Sequence, residues 1–208
     1  MNTTIKKTDL LKEDPNYYKV GKKPELRDLD TYYYLSISGK CAPDAPQFLT
    51  AIEALYKVAY TLKFMLKENE LDFVVPKMEG FWWVDGGAEN QAKFNEIPQS
   101  DWNWKILIRL PDFVEEDHFT RARYVAEEKN PDFSEVRQVI HEKINEGKCA
   151  QILHTGSYDN EEATLNVLYE FIEANGYKIN NYHHEIYISD PRRTAPEKLR
   201  TILRYGIE

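Results

Sequence analysis

Two stretches decide the architecture: Tyr32-Tyr33-Tyr34-Leu35-Ser36-Ile37-Ser38-Gly39 and Cys149-Ala150-Gln151-Ile152-Leu153-His154-Thr155-Gly156. Both are dense in strand formers and both stop at glycine. In the first, alternation puts Tyr33, Leu35 and Ile37 on one face. Beyond the turn at Cys41–Pro46, the positions Phe48, Ile52, Leu55, Ala59, Leu62 and Leu66 recur in steps of three and four, which makes an amphipathic helix. Beyond the second stretch, Glu161–Asn175 forms a helix through Leu165, Leu168 and Ile172 that ends before Gly176. Strand patterns follow each helix: Met78–Val84 and Trp104–Leu110 after the first, and Tyr182–Ile188 after the second, with a further short one at Asp72–Pro76. Laying Ser38-Gly39 on Thr155-Gly156 aligns two such units, so an internal duplication is the simplest organisation.

Working outward, residues 1–30 read as a polar arm with one short helix around Lys7–Glu13, and 31–208 as a single domain. Module one spans about 31–110, a helical insert about 111–147, and module two about 148–208. The insert is expected to hold two helices, Phe113–Lys129 and Phe133–Glu146, parted by Asn130-Pro131-Asp132. The fold class is therefore α+β: tandem duplicated strand-helix-strand-strand modules in a largely antiparallel sheet, with helices on one face and a ligand cleft between the modules. Free strand edges in such a sheet would either pair or be covered by the arm.

The chain has 208 residues and a formal net charge of −8, from 27 basic and 35 acidic side chains. That balance argues against a phosphate backbone as partner, because nucleic-acid affinity is built on basic patches. No helix-turn-helix pattern is present either. Cys41 and Cys149 are far apart and form no CxxC, and the opening Met1–Lys7 lacks a leader's apolar run. Together these suit a reducing cytoplasm. No run of about 18 apolar residues suggests a membrane span. The unusual feature is aromatic content: 14 Tyr, 9 Phe and 4 Trp. Aromatic rings with polar tips suit half-wet ligand surfaces, although many also fill β-rich cores.

Dinucleotide, P-loop and α/β-hydrolase motifs are absent. His183-His184-Glu185 does not read as a metal site, because neighbouring residues of a strand point to opposite faces. What remains is an acid among aromatics. Glu185 shares its strand face with His183 and Tyr187 and is expected on the face away from the helices. There it binds a lipophilic cation or acts as a general base, unless it sits at an edge paired with Arg192 or Arg193. Glu79, sharing a face with Phe81 and Trp83, is a second candidate. No cofactor is expected.

Four segments resemble stand-alone GyrI-like small-molecule-binding proteins: Pro76-Lys77-Met78-Glu79-Gly80-Phe81-Trp82-Trp83, Trp104–Phe113, Gly156-Ser157-Tyr158-Asp159, and His184–Arg193 with its Asp190-Pro191-Arg192-Arg193 end. The resemblance runs from about Tyr32 to Tyr205. It implies two modules related by a pseudo-two-fold axis around a hydrophobic cleft, and it puts Glu185 where regulators of the wider superfamily meet cationic ligands. Members of the stand-alone branch are similar to cyclopropanoid cyclopropyl hydrolases, which add water to the strained ring of DNA-alkylating natural products related to yatakemycin. On that basis Glu185 would activate water, and Tyr56 would orient it or assist proton transfer. Trp82 or Trp83, Trp104, Tyr158, Tyr60 and Tyr187, with Glu79 and His183, would line the ligand site. The alternative is a non-catalytic module that binds hydrophobic or cationic aromatic compounds. A role as a DNA gyrase inhibitor is the weakest reading, since an acidic surface selects no particular basic partner.

Overall fold

The computed structural model describes residues 7–86 and 94–208, apart from the Asn95 side chain; Gly87 of the expected loop and the first six residues of the chain lie outside this range. Six strands, β1 (Glu25–Lys40), β2 (Met78–Trp83), β3 (Asn103–Leu110), β4 (Ile140–Thr155), β5 (His183–Tyr187) and β6 (Arg200–Gly206), are all paired antiparallel. They close into a barrel in the order β1-β3-β2-β5-β6-β4. The duplication is visible in that order: β1-β3-β2 is one module, β4-β6-β5 the other, and the seams β2–β5 and β1–β4 join them. Closure leaves no open sheet edge.

Two helices cover the outside of the barrel. The 23-residue α3 (Pro46–Glu68) packs Phe48, Leu55, Val58, Leu62 and Leu66 on Leu35, Ile37, Trp82, Ile106 and Ile108 of module one. Its counterpart α5 (Glu162–Ala174) packs Leu168 and Ile172 on Ala150, Ile152, Leu203 and Tyr205 of module two. Between the modules, α4 (Glu116–Lys129) lies on α3 through Phe119, Ala122 and Ala126. The second helix expected in this insert is absent. Ser134–Gln138 is a single tight turn, and Ile140 already begins the 16-residue β4. Val136, Val139, Ile140 and Ile144 imitate helical spacing only because they serve different layers. Val136 and Val139 enter the α3 core, whereas Ile144 pairs with Tyr32 on β1 and turns into the barrel.

The segment before β1 is also more ordered than its polar composition implies. It forms two one-turn helices, α1 (Leu10–Glu13) and α2 (Pro15–Tyr18), the second capped by the Asp14 side chain on the Tyr17 N–H. Tyr17 is fully buried inside the barrel. Its hydroxyl donates to Glu79 Oε2 at 2.5 Å and lies 2.9 Å from Tyr34 Oη. Its carbonyl accepts from Arg204 Nη2 at 3.0 Å. Arg204 also reaches Glu146 Oε2 at 3.1 Å and Gln151 Oε1 at 2.9 Å. His184 bridges the two carboxylates, with Nε2 3.0 Å from Glu79 Oε2 and Nδ1 3.0 Å from Glu146 Oε1. Arg109 pairs with Asp14 at 2.8 Å and lies over the Tyr17 and Tyr32 rings. The barrel interior is therefore filled by a charge-paired network. Burial alone would push the Glu146 carboxyl up, but His184 and Arg204 outweigh it and hold it at about 2. Conversely, burial disfavours His184 imidazolium, and the two carboxylates overcome that and raise its pKa.

Candidate functional site

Alternation along β5 separates two environments. His184 and Ile186 face the barrel interior, and His183, Glu185 and Tyr187 face outward. Glu185 is paired across the seam with Gly80 of β2 and on its other side with Leu203 of β6. Leu203 packs under α5, and Trp82, on the Gly80 face of β2, packs under α3. Glu185 thus lies on the helix-bearing side, where the two modules meet, and the expectation of the opposite face is corrected. The face away from the helices is the barrel interior, which is closed by the arm.

Around Glu185 the structure gathers His183, whose Nε2 is 3.1 Å from Glu185 Oε1, and Tyr187, whose hydroxyl accepts from Trp82 Nε1 at 3.0 Å. Tyr158 meets Tyr187 edge-on at 5.9 Å, and Tyr205 tilts against His183 at 5.1 Å. Desolvation first, and then the negative charges of Glu185 and Glu161, push the Tyr158 phenol up to about 12. Tyr187 is raised for the same reasons. Both therefore remain protonated donors at any ordinary pH.

Sequence reasoning missed Glu161. It sits at the N-cap of α5 yet makes no capping bond, is 7% exposed, and leaves a buried carboxyl oxygen, Oε1, without a partner. Burial, reinforced by the charge of Glu185, lifts its pKa to about 10. Glu161, His183 and Glu185 each present one ligand-type atom, all within 4.8 Å of one another. These are the residues that could hold a cation. The spread is wide for one, and the short contact of Glu185 is already made to His183. Nothing local marks Glu161 as buried: it follows Asn160 at the start of a helix, where an exposed acid facing the helix N-terminus is the ordinary reading.

The other expected residues separate. Glu79 is fully buried in the barrel interior with Tyr17 and His184. Trp104 is core: it packs edge-on against Phe48 at 5.0 Å and its Nε1 meets Cys41 Sγ. Trp82 takes the outward position beside Tyr187. Trp83 turns the other way and stacks at 4.6 Å on Tyr182. Tyr56 and Tyr60 stack at 6.1 Å on α3, with Phe64 continuing the row at 6.3 Å. Burial and then Tyr60 raise the Tyr56 pKa, and the charges of Arg192 and Asp190 act on it more weakly. Arg192 pairs with Asp190 at 3.1 Å, so the alternative of an Arg-paired Glu185 is not what forms. Two surface cavities, of about 370 and 190 Å³, lie elsewhere, around His141 and between α3 and α4.

Residues 106–205 match the family described as the GyrI-like small molecule binding domain. A crystal structure described as a hydrolase from Listeria innocua is 34% identical, with 97% of this chain and 100% of that chain covered, at a TM-score of 0.85. The chain belongs to the GyrI-like small-molecule-binding family. An uncharacterized conserved protein from Listeria innocua superposes on this GyrI-like chain at a TM-score of 0.89, with the same identity and coverage. The C-terminal domain of EcmrR shares the fold at a TM-score of 0.57 and 14% identity, over 89% of this chain and 97% of that one. No curated protein matches in sequence. Among the described residues of the GyrI-like chain, no helix is long and apolar enough to cross a membrane.

Proposed function

We propose that this GyrI-like protein is a hydrolase that adds water to the cyclopropane ring of hydrophobic, DNA-alkylating compounds, a detoxifying reaction. The observation that carries the reading is the carboxylate of Glu185, held by His183 on a floor of Tyr187 and Trp82 with Tyr158 at its edge. Opening a spirocyclopropyl cyclohexadienone moves electrons into a ring that becomes a phenol. The step needs a base for water and planar walls for the ring system. Glu185 supplies the first, and Tyr158, Tyr187 and Trp82 the second. The 34% identical hydrolase from Listeria innocua supports a hydrolytic reaction without naming the substrate. Tyr56, to which the family resemblance gives the orienting of that water, stands in the aromatic row of α3 that a large flat ligand would meet.

A non-catalytic reading is favoured by the same negative charge beside exposed aromatic edges, which suits a lipophilic cation. The test incubates the protein with a spirocyclopropyl cyclohexadienone and follows by mass spectrometry the gain of one water, alongside Glu185→Gln. Hydration that is catalytic in the wild type and lost in the variant is the expected result. Ligand retained without product would establish the binding module instead.

A further inference from the structure

The candidate site holds two carboxyls, and activation of water by Glu185 uses one of them. We infer that Glu161 is a second catalytic residue of this site, the proton donor to the oxygen that develops negative charge, and that Glu161 and Glu185 then exchange a proton to reset the site. This rests on the hydrolytic reading of Glu185 above.

Three observations support it. Glu161 is placed at the cap of a 13-residue helix, where a carboxylate is normally spent on the first backbone N–H groups, but its side chain makes no such bond. It is instead buried within the Glu185–His183 cluster, with Oε1 unpartnered, so it arrives at the site with an unused polar atom. Two carboxyls this close, one of them buried, disfavour a second negative charge, and burial together with the Glu185 charge favours the protonated form of Glu161. Among the described residues, the titratable groups facing it are Glu185, His183 and Tyr187 from β5, Tyr205 from β6 and Tyr158 from the turn before α5. None is a lysine or arginine.

The step balances within the site. A water oxygen bonds to the cyclopropane methylene carbon while the bond from that carbon to the spiro carbon breaks. The released electron pair enters the ring and ends on the former carbonyl oxygen. Glu185 takes a proton from the attacking water, and Glu161 gives its own to the phenolate oxygen. The product is the substrate plus one water. The site is left with Glu185 protonated and Glu161 charged, and a solvent water that enters as product leaves relays one proton between these carboxyls, within 4.8 Å of each other, to restore the starting state. His183, at 3.1 Å from Glu185 Oε1, fixes the orientation of the base. It acts as a positioning residue.

The test uses the full chain, Glu161→Gln and Glu161→Asp, with two readouts. Infrared difference spectra should show a protonated-carboxyl band at neutral pH that disappears toward high pH and is missing from Glu161→Gln. Turnover of a spirocyclopropyl cyclohexadienone should fall about 100-fold or more in Glu161→Gln with ligand affinity and melting temperature kept, and by less in Glu161→Asp. The loss should shrink for substrates whose phenol is made more acidic by electron-withdrawing groups, a dependence that a merely structural role would not produce. Hydration at the wild-type rate in Glu161→Gln, or a carboxyl band unaffected by the substitution, overturns the donor role while leaving Glu185 as base. Stoichiometric zinc or manganese in active protein, lost in Glu161→Gln, overturns it in favour of a metal. A carboxyl band with no hydration by the wild type removes the hydrolytic reading itself, and the donor role with it.

Discussion

Two clusters of the same residue types lie back to back on β5. Inside the barrel, Glu79, Glu146, His184 and Arg204 form a network in which every charge meets an opposite one. Outside, Glu161, His183 and Glu185 form a cluster with two acids and, among the described residues, no arginine or lysine. Side chains one residue apart in sequence thus enter opposite regimes: the interior cluster has its partners fixed by the fold, and the outer one has spare capacity for a ligand. Composition is nearly equal in the two, and the supply of counter-charge decides which is architecture and which is chemistry.

The sharpest way to break this contrast is to remove a counter-charge from the interior. Arg204→Met should destabilise the protein by about 3–5 kcal/mol in denaturant titration, because it strands a buried carboxylate. A change near zero would mean that the interior is not held by charge pairing. Glu185→Gln should do the reverse, costing about 100-fold or more in turnover while changing stability by less than about 0.5 kcal/mol. A large loss of stability there would make the outer cluster architectural too. Tyr17→Phe, which removes one donor from Glu79 and one hydroxyl from Tyr34, should cost about 1–3 kcal/mol, measurable by the same titration. The smallest effect is in pH. The His184 pKa is raised in the folded state, so its stabilisation is complete below the unfolded value of 6.5 and fades as pH rises through the folded value. His184→Gln should flatten that decline. Glu146, held at about 2, contributes stability that is lost only as pH falls from about 4.5 toward that value, so the two titrations occupy separate windows.

Much of this was legible in the sequence, for identifiable reasons. The apolar steps from Phe48 to Leu66 and the repeated strand-to-glycine ends specified α3 and the duplication, because burial against a sheet demands those periods. Alternation placed His183, Glu185 and Tyr187 together and split Trp82 from Trp83. It did not say which side the helices would cover, since a strand with one polar and one apolar face reads alike in a sheet and in a closed barrel. Ile140–Glu146 was misread as helix because its residues pair with β1 at a distance of about a hundred positions, beyond any local pattern. Tyr17 and Glu161 were missed for a related reason: each owes its environment to residues remote in sequence, and a Tyr in a polar arm or a Glu at a helix start has no local mark of burial.

The arm's position also bears on how the chain acquires its shape. Tyr17 is 187 positions before Arg204, the residue that holds its carbonyl, and 62 before Glu79, which accepts its hydroxyl. During vectorial synthesis the arm emerges early, and its dock stays incomplete until β6 has been made, so among the longest contacts in the molecule are those of its first aromatic residues. Their complete docking then reports that both modules are present and joined, a check that a chain ending before Arg204 would fail.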